Sequence, residues 1–231
     1  MQLTKTAMPR RFPNSPGCAA LATSRVLGFT MIEVLVTLVV LALGLLGVMG
    51  LQARGQQAEL ESYQRGQALV LLQDMVDRIS ANRTDAHSKL YSTVTTFPVG
   101  GGGALTNCGV STTGAAYDVC DWGNQLNGAA EASASGTCDT SAGSGCIGAM
   151  LGARGCITYD NSTELKDSTG ATMAGTGIYT VTVAWQGLVA TAAPPTAVAC
   201  GRNLYPNATS PNDAMRRAVT TTIRIANLNS P

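Results

Sequence analysis

The chain has 231 residues, of which 13% are charged, 5% are aromatic and 26 are glycine, a composition that allows one modest globular domain with a small core and many loops. Its 15 Lys and Arg nearly balance 14 Asp and Glu, for a net charge of +1. No basic patch stands out in the body of the chain, which argues against nucleic acid as a partner.

Residues 1–28 hold Lys5, Arg10, Arg11 and Arg25 with no acid, and also Pro9, Pro13 and Pro16. With no sustained apolar period, this stretch reads as a leader without stable structure. An apolar run follows, 23 residues from Phe29 to Leu51 with Glu33 as the only charge. At about 1.5 Å per residue, a helix of that length spans a bilayer core of about 30 Å. The basic residues on its N-terminal side predict that this end stays cytoplasmic while the rest crosses the membrane. An ionisable group inside a membrane helix costs about 2.5–3.5 kcal/mol near the centre and less near an end, and it marks a partner or a pathway. The spacing suggests that partner. A cut after Gly28 would give Phe29 a free α-amine with a pKa of about 7.7–8.0. Phe29 and Glu33 stand at i,i+4, on one helical face. Amine and carboxylate can pair within one molecule or, better, between two helices packed side by side.

The stretch Gly28-Phe29-Thr30-Met31-Ile32-Glu33, with a basic leader before it and an uninterrupted apolar helix after it, resembles the type III signal of type IV pilins and pseudopilins. The resemblance implies a prepilin peptidase that cuts after Gly28 and methylates Phe29. It also implies that Glu33 and the new N-terminus at Phe29 serve in subunit docking. Without residues 1–28 the chain keeps 11 basic and 14 acidic residues, a net of −3, and six of its seven cysteines. These are Cys108, Cys120, Cys138, Cys146, Cys156 and Cys200. An even number in an exported, Gly-rich domain reads as three disulfides. Six cysteines can pair in many ways. The set Cys108–Cys120, Cys138–Cys146 and Cys156–Cys200 needs the least chain reorganisation. No C-x-x-C occurs and the single histidine, His87, is distant in sequence, so no metal site is expected.

Past Leu51 the helix is expected to continue to about Asn82, for a length on the order of 80 Å. Leu60, Tyr63, Leu69, Leu72, Val76 and Ile79 recur at helical spacing and read as a face lying on a domain. Gly44, Gly47, Gly50 and Gly55 inside it each cost roughly 1 kcal/mol against alanine; the favoured reading is close helix–helix packing in a membrane, the alternative a soft point where the helix bends or partly unwinds in a filament. Residues 83–110 form a crossing, with a short strand expected within Lys89–Thr96 and no regular structure at Gly100–Gly103. From Cys108 to Cys156 the composition approaches disorder, and the disulfides are expected to rescue it. A helical turn is expected at Ala129–Ala134.

Strand evidence is best at Ile178–Trp185, where Tyr179, Val181, Val183 and Trp185 make the better core face. Arg217–Ala226 reads as the closing strand, with Val219, Thr221, Ile223 and Ile225 on one face, and Cys156–Tyr159 as a partner strand. Three or four antiparallel strands on an amphipathic helix make an α+β fold. Its first half-helix is transmembrane, its second half-helix packs on the small sheet, and its loops are disulfide-stapled. The chain divides into the leader 1–28, the membrane or filament-core helix 29–51, the amphipathic half 52–82 and a Cys-rich β domain 83–231 on the far side of the membrane.

Catalytic motifs are absent: there is no G-x-S-x-G, P-loop or H-E-x-x-H, and no cofactor is implied. His87 reads as a solvated loop residue. Asp118, Asp121, Asp139, Asp160 and Asp167 read as loop carboxylates that match no EF-hand. Within the pilin family, the Cys-rich middle and the two strands resemble minor pilins of the PilV type. That resemblance implies a place in the complex that initiates the pilus at its tip. The implied partners are other minor and major pilins, the inner-membrane assembly platform and a tip adhesin. The rival readings are a minor pseudopilin of type II secretion and a membrane-anchored exported enzyme or binding domain.

Overall fold

The computed structural model describes residues 28–101, 105–109, 114–129, 150–205 and 213–226. They fall into two units, Met1–Gly50 and Leu51–Pro231. In the first, the described residues are the start of helix α1 (Met31–Ala81), and every one of them through Gly50 is exposed. No proline interrupts the chain between Pro16 and Pro98, so nothing breaks the backbone ladder of α1.

In the second unit α1 buries Gln64, Ala68, Leu72, Met75, Val76 and Ile79. This corrects the inward face expected from the sequence. Leu60, Tyr63 and Leu69 are 55%, 54% and 49% exposed. The stripe fixed by Leu72, Met75, Val76 and Ile79 runs back in helical steps through Ala68 and Gln64. Tyr63 and Leu69 are one residue off that stripe, which is about 100° around the helix. A short helix α2 (Arg83–His87) and a 3-10 turn at Leu90–Ser92 follow. The turn replaces the strand expected in Lys89–Thr96.

The sheet has the order β1-β2-β3-β4 and is antiparallel throughout: β1 Val99–Gly100, β2 Leu151–Asp160, β3 Ile178–Gln186 and β4 Arg216–Arg224. Strand β3 is central. Its alternation puts Tyr179, Val181, Val183 and Trp185 at 3% exposure or less, the core face that the pattern predicts. The closing strand ends at Arg224, and Ile225 is buried just beyond it. β2 starts five residues earlier than expected, and Gly100 forms regular structure after all as the end of β1.

Helix α3 (Ala115–Leu126) lies within the stretch whose composition suggested disorder. Ala115, Val119, Trp122 and Leu126 are all buried and complete the core against β2 and α1. Trp122 is the keystone of that contact. Its ring lies where a Cβ on Gly155 of β2 would be, and its indole N–H donates to the Leu71 carbonyl of α1 at 2.8 Å. The helical turn expected at Ala129–Ala134 lies, from residue 130 on, outside the described residues.

Candidate functional site: the N-terminal signal segment

The motif residues occupy the start of α1. Gly28, Phe29 and Thr30 precede the helix, and Thr30 caps it. The Thr30 hydroxyl accepts the Glu33 N–H at 3.3 Å, and the Thr30 carbonyl accepts the N–H groups of Glu33 and Val34 at 3.1 and 3.3 Å. Thr30-Met31-Ile32-Glu33 therefore has the form of a capping box, T-x-x-E, with its threonine half made. Glu33 lies in the first helical turn, where a carboxylate meets the positive end of the helix dipole. Its carboxylate makes no hydrogen bond or ion pair among the described residues.

Phe29, 82% exposed, sits before the Thr30 cap. It is outside α1, which starts at Met31, so the same-face relation to Glu33 expected from an i,i+4 step in a helix is not formed. That relation needs a helix that starts at Phe29. From Met31 through Leu51 the large apolar residues are 47–86% exposed. At the glycines among them, Gly44, Gly47 and Gly50, no described atom outside the adjoining helix backbone lies within 4 Å of where a Cβ would stand. α1 contains a stretch long and apolar enough to cross a membrane.

The cysteines lie in the second unit. Cys108 is bonded to Cys120 and Cys156 to Cys200, with Cα–Cα distances of 5.6 and 5.8 Å. Cys108–Cys120 ties the segment after β1 to α3. Cys156–Cys200 ties β2 to the long β3–β4 connection. Cys138 and Cys146 lie outside the described residues.

Two of the acids read as loop carboxylates are placed differently. Asp118 and Asp121 are on α3, where they face Arg78 of α1 at 3.6 and 2.7 Å, and Asp74 completes the set at 2.8 Å. Three carboxylates around one guanidinium join the two helices. Sequence reading missed this because α3 itself was missed. Asp160 and Asp167 instead accept bonds from Ser162 and from Thr169 and Ala171, and close local turns. Asp139 lies outside the described residues. His87 is half-buried at the end of α2, with Nδ1 3.0 Å from the Gly175 carbonyl, not solvated in a loop. Among the described residues no group of three or more His, Cys, Asp or Glu is arranged to hold a metal ion.

Residues 23–49 match the prokaryotic N-terminal methylation motif. No curated protein and no solved structure matches the chain. The match covers the leader end, the Gly28–Glu33 segment and most of the exposed apolar run. The chain thus carries a type IV pilin-like signal, of the kind shared by pilins and pseudopilins.

Proposed function

We propose that this protein is a minor pilin of the PilV type: a precursor inserted in the bacterial inner membrane, cut after Gly28, methylated on Phe29 and built into a type IV pilus through its N-terminal helix. The observation that carries the reading is the Gly28–Glu33 motif at the head of the exposed apolar run. The domain after Leu51 faces the periplasm before assembly and the cell surface afterwards. Its role is assembly without turnover of a substrate.

Docking rests on charge in a dry place. Glu33 of one subunit attracts the Phe29 amine of a neighbour between packed helices, where an unpaired charge is costly. The open notches at Gly44, Gly47 and Gly50 let a second helix approach closely. Partners are the prepilin peptidase, the assembly platform, other minor and major pilins, and an adhesin at the tip.

Two measurements test this. Protein from its native membrane should begin at N-methylated Phe29, and Gly28→Val should leave the full-length, unmethylated precursor. Mature-sized product from that variant rejects the cleavage assignment. A tagged subunit should appear in the sheared pilus fraction and vanish from it when the assembly platform is deleted. Dependence on a secretion system in place of the pilus assigns it to the pseudopilins. Retention in the inner membrane under all conditions assigns it to the anchored enzymes or binding domains.

A further inference from the structure

The turn after α2 and the turn after β2 meet through side chains that the N-terminal signal does not involve. Lys89 Nζ donates to Asn161 Oδ1 at 2.7 Å and stands 2.8 Å from Glu164 Oε1. The same ammonium lies over the Tyr159 ring, 5.1 Å from its centroid. Glu164 is 8% exposed at its side chain, and its Oε1 also accepts from the Tyr159 hydroxyl at 2.8 Å and the Gly175 N–H at 2.9 Å. Lys89 adopts a left-handed backbone, φ +61°, uncommon for a residue with a Cβ and typical of positions that the surroundings force. A primary ammonium thus stands within hydrogen-bond reach of both a carboxamide oxygen and a largely buried carboxylate, beside an aromatic ring.

We propose that this is a self-modification site: Lys89 Nζ and Asn161 Cγ join in an isopeptide bond, ammonia leaves, and Glu164 carries the protons. The pair begins as ammonium and carboxylate. A proton passes from Nζ to Glu164, which leaves a neutral amine beside a carboxylic acid. The Nζ lone pair adds to Asn161 Cγ, and the carbonyl electrons move onto Oδ1. Glu164 then protonates Nδ2 and takes the second proton from Nζ. The carbonyl re-forms as the Cγ–Nδ2 bond breaks, and the departing ammonia takes the proton from Glu164 and leaves as ammonium. Glu164 ends as it began. One C–N bond forms and one breaks, with no oxidant, metal or outside base.

Positioning drives the step. Holding amine and amide together replaces a bimolecular encounter, an effect worth about 10⁵–10⁸ M in effective concentration for well-oriented groups. The first proton transfer is an uphill pre-equilibrium that lowers the overall rate. Hydrogen bonds from Lys89, from the Gly175 N–H and from Tyr159 hold the Glu164 carboxyl at about 2, well below its ordinary range, so the neutral pair is a small fraction of the population. A slow reaction suffices, because each molecule needs it once. The product ties the turn after α2 to the end of β2. Cys156–Cys200 already fastens β2 to the β3–β4 connection.

The test is the mass of the full chain purified from its native membrane. The intact protein should be lighter by one ammonia than its disulfide-bonded sequence. A protease digest should yield one branched peptide that contains both Lys89 and Asn161. Lys89→Arg and Asn161→Ala should each restore the missing mass, and Glu164→Gln should leave the bond unformed. Asn161 is exposed, so Asn161→Ala leaves the fold in place and serves as the reference variant where Glu164→Gln destabilises its loop. Separate, unmodified Lys89 and Asn161 peptides with no mass deficit overturn the proposal, as does plain deamidation at Asn161. None of these outcomes depends on cleavage at Gly28, so failure here leaves the pilin reading untouched.

Discussion

Gly155 is glycine because Trp122 occupies its side-chain space. A Cβ there would stand 2.2 Å from the indole and 2.7 Å from Leu126 Cδ1, on a ring that is fully buried and hydrogen-bonded at its far side. Neither group can retreat cheaply, so Gly155→Ala should lower stability by about 1–3 kcal/mol through overpacking. Gly123 on α3 gives the opposite sign. Its Cβ would meet Val99 at an ordinary 3.4 Å, and alanine in a helix interior is favoured by about 1 kcal/mol. Urea unfolding of the oxidised protein reads both, and equal midpoints for the two variants would reject this account. The buried tyrosines set an alkaline limit. Burial raises the phenols of Tyr91, Tyr159 and Tyr179, helped by the Asp118 carboxylate at Tyr91, by Glu164 at Tyr159 and by Tyr159 at Tyr179, and Tyr159 is pushed up to about 12. Above a pH of about 10 the unfolded chain releases protons that the folded one still holds. Stability is therefore complete below that point and falls as pH rises toward 12. Tyr179→Phe should flatten the fall, seen as a smaller shift in urea midpoint between the two ends of that window.

Elements differ in how plainly the sequence announces them. Strand β3 was legible because Tyr179, Val181, Val183 and Trp185 alternate with smaller residues and the strand is central, so the pattern and the burial agree. The first turn of α1 was legible because apolar length and the lone Glu33 are local facts. Helix α3 was not, although Ala115, Val119, Trp122 and Leu126 stand at steps of four, three and four. Two of those four are small or β-branched, the flanks are rich in Gly, Ser and Thr, and composition outweighed a short period. The meeting of Lys89 with Asn161 and Glu164 had no local signal at all, since 72 residues separate its first two members. The inward face of α1 failed for a different reason: apolar residues alone named the stripe, whereas Gln64 and Ala68, one polar and one small, are buried and complete it. That correction can be checked. Met75→Ala should cost about 2–5 kcal/mol by cavity formation, while Leu69→Ala, half exposed, should stay within about 0.5 kcal/mol. Comparable losses for the two would restore the original face.

At the scale of the whole molecule, the two units present different surfaces. The second folds around its own core, held by α1, α3 and the sheet. The described residues of the first present exposed apolar side chains from Phe29 through Met49, a poor arrangement in water and a good one in lipid or against sister helices. Glu33 is where these alternatives separate. A carboxylate in the first turn of a helix already has a use, since it complements the helix dipole by about 0.3–1 kcal/mol. If that were its whole task, replacing it would loosen one helix end and leave assembly alone. If it docks subunits, its loss removes a charge pair between molecules and leaves each molecule intact. Glu33→Gln separates the two well, because the Thr30 cap bonds the Glu33 backbone N–H and survives the change. The variant should insert in the membrane and be cut after Gly28 much as before, with its amount in sheared filaments falling at least several-fold. Incorporation at the original level, with the helix start measurably frayed, would reduce Glu33 to a cap residue and remove the docking step from the proposed function.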